Sequence, residues 1–374
     1  MLKQTNKQTN KHFLFFLFTL ILVLAFSTQA KFFLSKEKTG TINTISLNRL
    51  SYKILLNTGN YSSVSEAKNA INAKPSPNFN TVATTDEGMF MMEDDYGESY
   101  YFRGTAPNNW VKFGKTGTTS NEGEDIYWRI VRINGDGSIR LIFSGIGSPQ
   151  TTGDATGIGK SAFNTERNHS RYSGYSYGET SIDCTPPNCT DSTIKTYIEN
   201  WFQNNLVDEE SKLQDNPFCI DKSIGEIPTS WISWVNPAYG ATSRTMREVS
   251  QGSKNPQLKC PREEDKYKKA NGYLKYPIGL LTSDEASLAG GLGNPFTNNN
   301  QYYLYTGSHF WLGSPGVWDF PNSWAGESGV YSDGGLYAIW RVGGVVGVRP
   351  VSSLKSDTLY VSGDGSINNP YIVK

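Results

Sequence analysis

The chain has 374 residues and sets 35 Lys+Arg against 35 Asp+Glu. Residues 1–30 hold Lys3, Lys7 and Lys11 and no acid, so the remainder carries a charge of about −3. This balance excludes a general nucleic-acid binder, which needs a basic face to displace counterions from phosphate. Charged residues make up 19% and aromatics 13%, with 37 Gly and 17 Pro. That excludes a disordered chain and a helical bundle, and predicts a loop-rich, strand-rich globule.

Met1–His12 is polar and basic, Phe13–Phe26 is apolar apart from Thr19, and Ser27-Thr28-Gln29-Ala30 supplies small residues. These regions predict a signal peptide over 1–30. The apolar run is shorter than the roughly 20 residues of a bilayer span. The alternative is an uncleaved N-terminal anchor, which would be the chain's one membrane contact. Either way the product is secreted or held at the cell surface. In that oxidising setting Cys184, Cys189, Cys219 and Cys260 read as two disulfides. Cys184 and Cys189 bracket the tight Thr185-Pro186-Pro187-Asn188 loop, which leaves Cys219 for Cys260. A four-Cys metal site would want paired C-x-x-C spacing, which is not present, so no metal is expected.

Residues 31–85 read as a leader: a short helix over 64–73, stopped by Lys74-Pro75-Ser76-Pro77, and then a linker. The main domain spans 86–374. Strands are expected at Ser99–Arg103, Trp110–Phe113, Ile126–Ile133 and Ser138–Phe143. The last two are joined by Asn134-Gly135-Asp136-Gly137 as a hairpin turn. Ile126–Ile133 is apolar on both alternating faces, which predicts cover on both sides. Gly145–Asp183 reads as irregular. From Ile194 to Leu206 apolar residues recur at helical spacing, with Asp191 or Ser192 as cap. Thr282-x-x-Glu285 is a capping box that opens a short helix over 284–288, ended by Gly290-Gly291. Further strand-like pieces are Tyr276–Leu281, Tyr302–Tyr305, Phe310–Leu312, Gly335–Arg341 and Val345–Val351, with Leu359–Val361 and Tyr371–Val373 as a closing pair.

Several of these runs are similar to one known family. They are Asp94-Asp95-Tyr96-Gly97 with Ser99–Gly104, Tyr127–Arg140, Gly279–Glu285, Gly347–Val351 and Asn369–Val373. Over about residues 79–374 the chain resembles an uncharacterised family of exported proteins of AT-rich gut Firmicutes and Mollicutes. The domain of that family looks like a C-type-lectin-like fold of the sulfatase-modifying-factor kind. The resemblance implies an α+β domain of small twisted antiparallel sheets, with helices 193–206 and 284–288 as its two main helices and long irregular loops.

Relatives of this fold that generate formylglycine use a copper-dependent cysteine pair near the end of the chain. Here the last cysteine is Cys260, and only Cys184 and Cys189 have a suggestive spacing. An oxidase of that type is therefore the alternative reading. Sugar-binding C-type lectins carry Glu-Pro-Asn or Gln-Pro-Asp calcium ligands. Asn294-Pro295 and Trp318-Asp319 are partial echoes, which leave calcium a weak expectation and no other cofactor.

The segment 314–340 interleaves rings with short polar side chains: Trp318, Phe320, Asn322, Trp324, Glu327, Tyr331, Asp333 and Tyr337. Rigid rings bury much area at little entropic cost, and polar neighbours fix orientation. Read as a loop between strands, this segment is the candidate ligand-binding surface, with Trp318, Trp324 and Tyr331 its best candidates for exposure; the alternative, which the size of the rings favours, is that they pack under the loop and hold it against the sheet. The expected function is an exported adhesion or ligand-recognition protein for a cell-surface glycan or protein. A structural envelope or filament component is a further alternative.

Overall fold

A computed structural model describes residues 48–117, 122–225, 235–246, 254–293, 298–319 and 322–374, and its first described elements are two helices. These are α1 (Leu50–Asn57) and α2 (Val64–Asn72). The expected signal peptide, Phe320 and the Asn294-Pro295 echo lie outside the described residues. Five strands follow: β1 (Asp86–Asp94), β2 (Gly97–Gly104), β3 (Trp110–Lys115), β4 (Asp125–Ile133) and β5 (Ile139–Ile146). Then come β6 (Lys160–Ala162), α3 (Thr193–Asn205), α4 (Gly240–Thr245) and α5 (Ser283–Leu288). The chain closes with β7 (Phe310–Asp319), β8 (Trp324–Val330), β9 (Leu336–Arg341), β10 (Val345–Gly347), β11 (Val351–Leu354), β12 (Tyr360–Ser362) and β13 (Tyr371–Val373). The protein is thus a mixed α+β molecule dominated by sheet.

The larger sheet runs Ile278–Gly279, β11, β5, β4, β3, β13, β12. β4 is its spine. One edge pairs with β5; the other is shared between β3 along its start and β2 at Tyr100–Ile133 and Tyr101–Arg132. β4 is buried from Trp128 to Ile133, so both faces are covered, as the two-sided apolar pattern predicts. α3 supplies one cover. The Ser192 side chain accepts the Lys195 N–H and caps it, and Ile194, Ile198 and Phe202 point inward. Trp201 meets the sheet edge-on, 6.5 Å from Trp128 and 5.6 Å from Phe143. α1 and α2 fall in the stretch read as a leader, yet Leu50, Ile54, Ala67 and Ile71 belong to the main apolar core.

The smaller sheet runs β9, β8, β7, β10, β6, and Val235–Ala238 also pairs with β7. It corrects the expectation of a loop over 314–340. That segment is a three-stranded antiparallel meander, β7–β8–β9. The alternation that marks a strand is hidden by Gly313, Pro315, Gly316, Gly326 and Gly329. Register shifts break both pairings of β8 as well. Three other readings are shortened. Tyr302–Tyr305 forms turns. Within Tyr276–Leu281 only Ile278–Gly279 pairs, after Pro277, which has no N–H to donate. Val345–Val351 divides into β10, which ends at Gly347, and the start of β11 at Val351, with Pro350 between them.

Both expected disulfides are present, Cys184–Cys189 with Cα atoms 5.3 Å apart and Cys219–Cys260 with Cα atoms 5.5 Å apart. No described helix is long and apolar enough to cross a membrane.

Candidate functional site

The hairpin turn brings the site together. Asn134 and Ser138 close it by Asn134 N–H to Ser138 O, 2.8 Å, so Ile133 faces Ile139 and Arg132 faces Arg140. The pairing then skips: Ile130 faces Leu141, and Val131 is an extra residue on β4. This bulge re-aims the end of the strand, as bulges do. It leaves two arginines side by side on a nearly dry surface, with Arg132 side chain 10% and Arg140 side chain 1% exposed.

Two buried cations need a counter-charge, and α5 provides it. Glu285 stands at the third residue of the helix because Thr282 is its cap. Its Oε2 accepts the Thr282 N–H at 3.0 Å, completing the expected capping box. Its Oε1 lies 3.1 Å from Arg132 Nε and 2.7 Å from Arg140 Nε. Asp94, at the end of β1, takes Arg132 Nη1 at 2.8 Å and the Gly135 N–H at 2.9 Å. Gly135 must be glycine here. A Cβ would come within 2.5 Å of the Gly97 nitrogen and 2.6 Å of Asp94 Oδ1. The turns β1–β2 and β4–β5 therefore lock against each other.

A second pair adjoins the first. Arg244 of α4 makes a two-pronged contact with Asp284, at 2.7 and 2.5 Å, and reaches Asp221 at 2.6 Å. Burial and Arg244 oppose each other at Asp284, and burial wins, raising its pKa. At Glu285 burial also works upward, but Arg140, Arg132 and the Thr282 N–H outweigh it and the pKa falls. Burial lowers Arg140 to about 10 despite Glu285.

Between these groups lies an open cleft with about 30 Å³ of space at its floor. Asp94, Asp95, Tyr96, Arg132, Asn134, Arg140, Arg244, Lys259, Asp284 and Glu285 line it, along with Cys219. The Cys219–Cys260 bridge ties two walls, and the Cys260 N–H donates to Asp95 Oδ2 at 3.3 Å. Three of the runs that carry the family resemblance therefore converge on one cleft. Sequence reasoning passed over it. The signal was available: arginines at mirror positions on a buried hairpin, plus a capping-box glutamate.

The candidate surface at 314–340 is partly dismantled by the structure. Glu327 is fully buried in the middle of β8, and among the described residues neither carboxylate oxygen has a side-chain hydrogen-bond partner. Burial holds its pKa well above the usual range. Trp324, expected to be exposed, is only 8% exposed, with the Arg341 guanidinium 5.3 Å from its ring. Strand pairing places both side chains among their neighbours instead of in solvent. Asn322 is exposed, and Trp318, Tyr331, Asp333 and Tyr337 are half-buried. Tyr331 stacks on Tyr337 at 3.9 Å, with His309 4.7 Å from Tyr331. Trp318 lies apart, beside His169 at 6.3 Å.

Asn134-Gly135-Asp136-Gly137 serves as a turn. Asp136 accepts from Ser138 and Asn216. Cys184 and Cys189 are bonded to each other. Among the described residues, no group of three or more His, Cys, Asp and Glu side chains is placed to hold a metal ion. Comparison of the chain with protein families, with curated proteins and with solved structures gives no match.

Proposed function

We propose that this is an exported, disulfide-stapled recognition protein with a C-type-lectin-like domain, and that its ligand seats in the cleft between Arg132, Arg140 and Tyr96. The observation that carries this reading is the ion network itself. Buried charges are costly to hold, and a cluster of them opening onto a cleft is a common mark of a functional site. Recognition is favoured over catalysis because Asp94, Asp95, Asp284 and Glu285 each accept from two or more donors, which leaves no carboxylate of the cleft lining ready to move a proton. The two disulfides fit an oxidising location.

The second reading keeps the ligand on the β7–β9 meander, through the stacked Tyr331–Tyr337 pair. A glycan and peptide array followed by titration separates the two. Changing Tyr96→Ala and Lys259→Ala together, both on the cleft rim, should weaken an array ligand at least about tenfold with unfolding unchanged. A ligand that ignores those changes and is lost with Tyr337→Ala would move the site to the meander.

A further inference from the structure

The hydrogen-bonding capacity left over in the cleft has a sign. Its carboxylates are engaged: Glu285 by Arg132, Arg140 and Thr282, Asp94 by Arg132 and the Tyr96 and Gly135 amides, Asp95 by Lys266 and the Cys260 amide, Asp284 by Arg244 and the Gln257 amide. The donors are not. Arg132 uses Nε and Nη1, on Glu285, Asp94 and Ser99. Arg140 has its Nε beside Glu285 and a long 3.5 Å contact from Nη1 to the Pro217 carbonyl. The Nη2 groups of both have no acceptor among the described residues, and both residues line the cleft. A guanidinium held this dry with an unused edge favours an anionic, planar acceptor. A cationic ligand would find every carboxylate taken.

The rim adds a second constraint. Tyr96 is 46% exposed and lines the same cleft, so a flat apolar ring stands beside the arginine floor. A ring of this kind can cover one face of a pyranose, as aromatic residues do at binding surfaces.

We propose that the cleft takes an acidic sugar of the uronic-acid class, its carboxylate on Arg132 and Arg140 and its ring against Tyr96. This inference rests on the cleft being the binding site, as argued above. The test is calorimetric titration of the exported product with galacturonate, its methyl ester, galactose and N-acetylglutamate. Galacturonate should bind at least tenfold more tightly than the ester or galactose, because only the free carboxylate can use both guanidinium edges. Arg132→Lys keeps the charge and removes the edge. It should cost galacturonate about tenfold while leaving galactose unchanged. Should that variant fail to fold, the comparison of acid with ester on the unaltered protein decides. Equal binding of acid and ester overturns the proposal. So does N-acetylglutamate binding as tightly as galacturonate, which would assign the arginines to a peptide carboxylate. If galacturonate does not bind, yet an array ligand still depends on Tyr96 and Lys259, the acidic-sugar proposal fails and the cleft remains the binding site.

Discussion

Two glutamates in this protein are buried to nearly the same degree and meet opposite fates. Glu285, 3% exposed, sits between two arginines and a backbone amide, and its pKa is lowered. Glu327, fully buried, has no side-chain donor at either oxygen among the described residues, and burial raises its pKa well above the ordinary value. One region was folded around a charge; the other buried a carboxyl whose charged form burial disfavours. Burial alone therefore says nothing about function. A charge that is paired, and whose partners still face a cleft, does.

The same substitution should break this comparison with opposite signs. Glu285→Met takes the counter-charge from Arg140, leaves Arg132 with Asp94 alone, and removes half of the capping box. It should cost about 3–5 kcal/mol in urea unfolding at pH 7. Glu327→Met replaces a buried carboxyl with an apolar side chain of similar length and should be neutral or stabilising. If both variants destabilise equally, the pairing at Glu285 is not what distinguishes the two sites.

The next effect concerns the walls of the cleft. Replacing Cys219 and Cys260 by Ser opens a cross-link with a sequence separation of 41. On the chain-entropy model this should cost about 3–4 kcal/mol. The Cys184–Cys189 bridge spans a separation of 5, and its loss should cost about 2 kcal/mol. The larger loss should come with loss of ligand binding, since Cys219 lines the cleft and Cys260 bonds Asp95. Binding retained without the Cys219–Cys260 bridge would show that the cleft is held by its ion pairs alone.

How much of this was legible follows from the range of each signal. The β4–β5 hairpin, α3 with its Ser192 cap, and the capping box at Thr282 are local patterns, and the sequence shows them because neighbours in the chain make them. The cleft depends on contacts such as Arg132 to Glu285, more than 150 residues apart, which no periodicity reports. The β7–β9 meander failed for a different reason. Its ladder is local, but glycines, Pro315 and bulges erase the alternation, so rings that pair within a sheet looked like rings on a loop. A strand signal in such a segment is carried by backbone pairing, which side-chain patterning does not record.

The smallest effect is the one that reads the two carboxyls most directly, through pH. The unfolded chain ionises either glutamate near 4.5. Folded Glu327 keeps its proton above that pH, so the unfolded state releases a proton that the folded state retains. Stability from this group therefore falls as pH rises from about 4.5 toward the folded pKa, and is untouched below 4.5. Glu285 behaves in reverse. Its folded pKa lies below 4.5, so its contribution is present above that value and is lost as pH falls through the folded pKa. Glu327→Gln should therefore gain on the unaltered protein as pH rises from 4 to 7. Glu285→Gln should lose its disadvantage on acidification. Urea unfolding at pH 4, 5.5 and 7 measures the first, and further points below pH 4 measure the second. A Glu327→Gln difference that stays constant across that range would mean the carboxyl ionises in the folded protein, and that a donor or water reaches it inside β8.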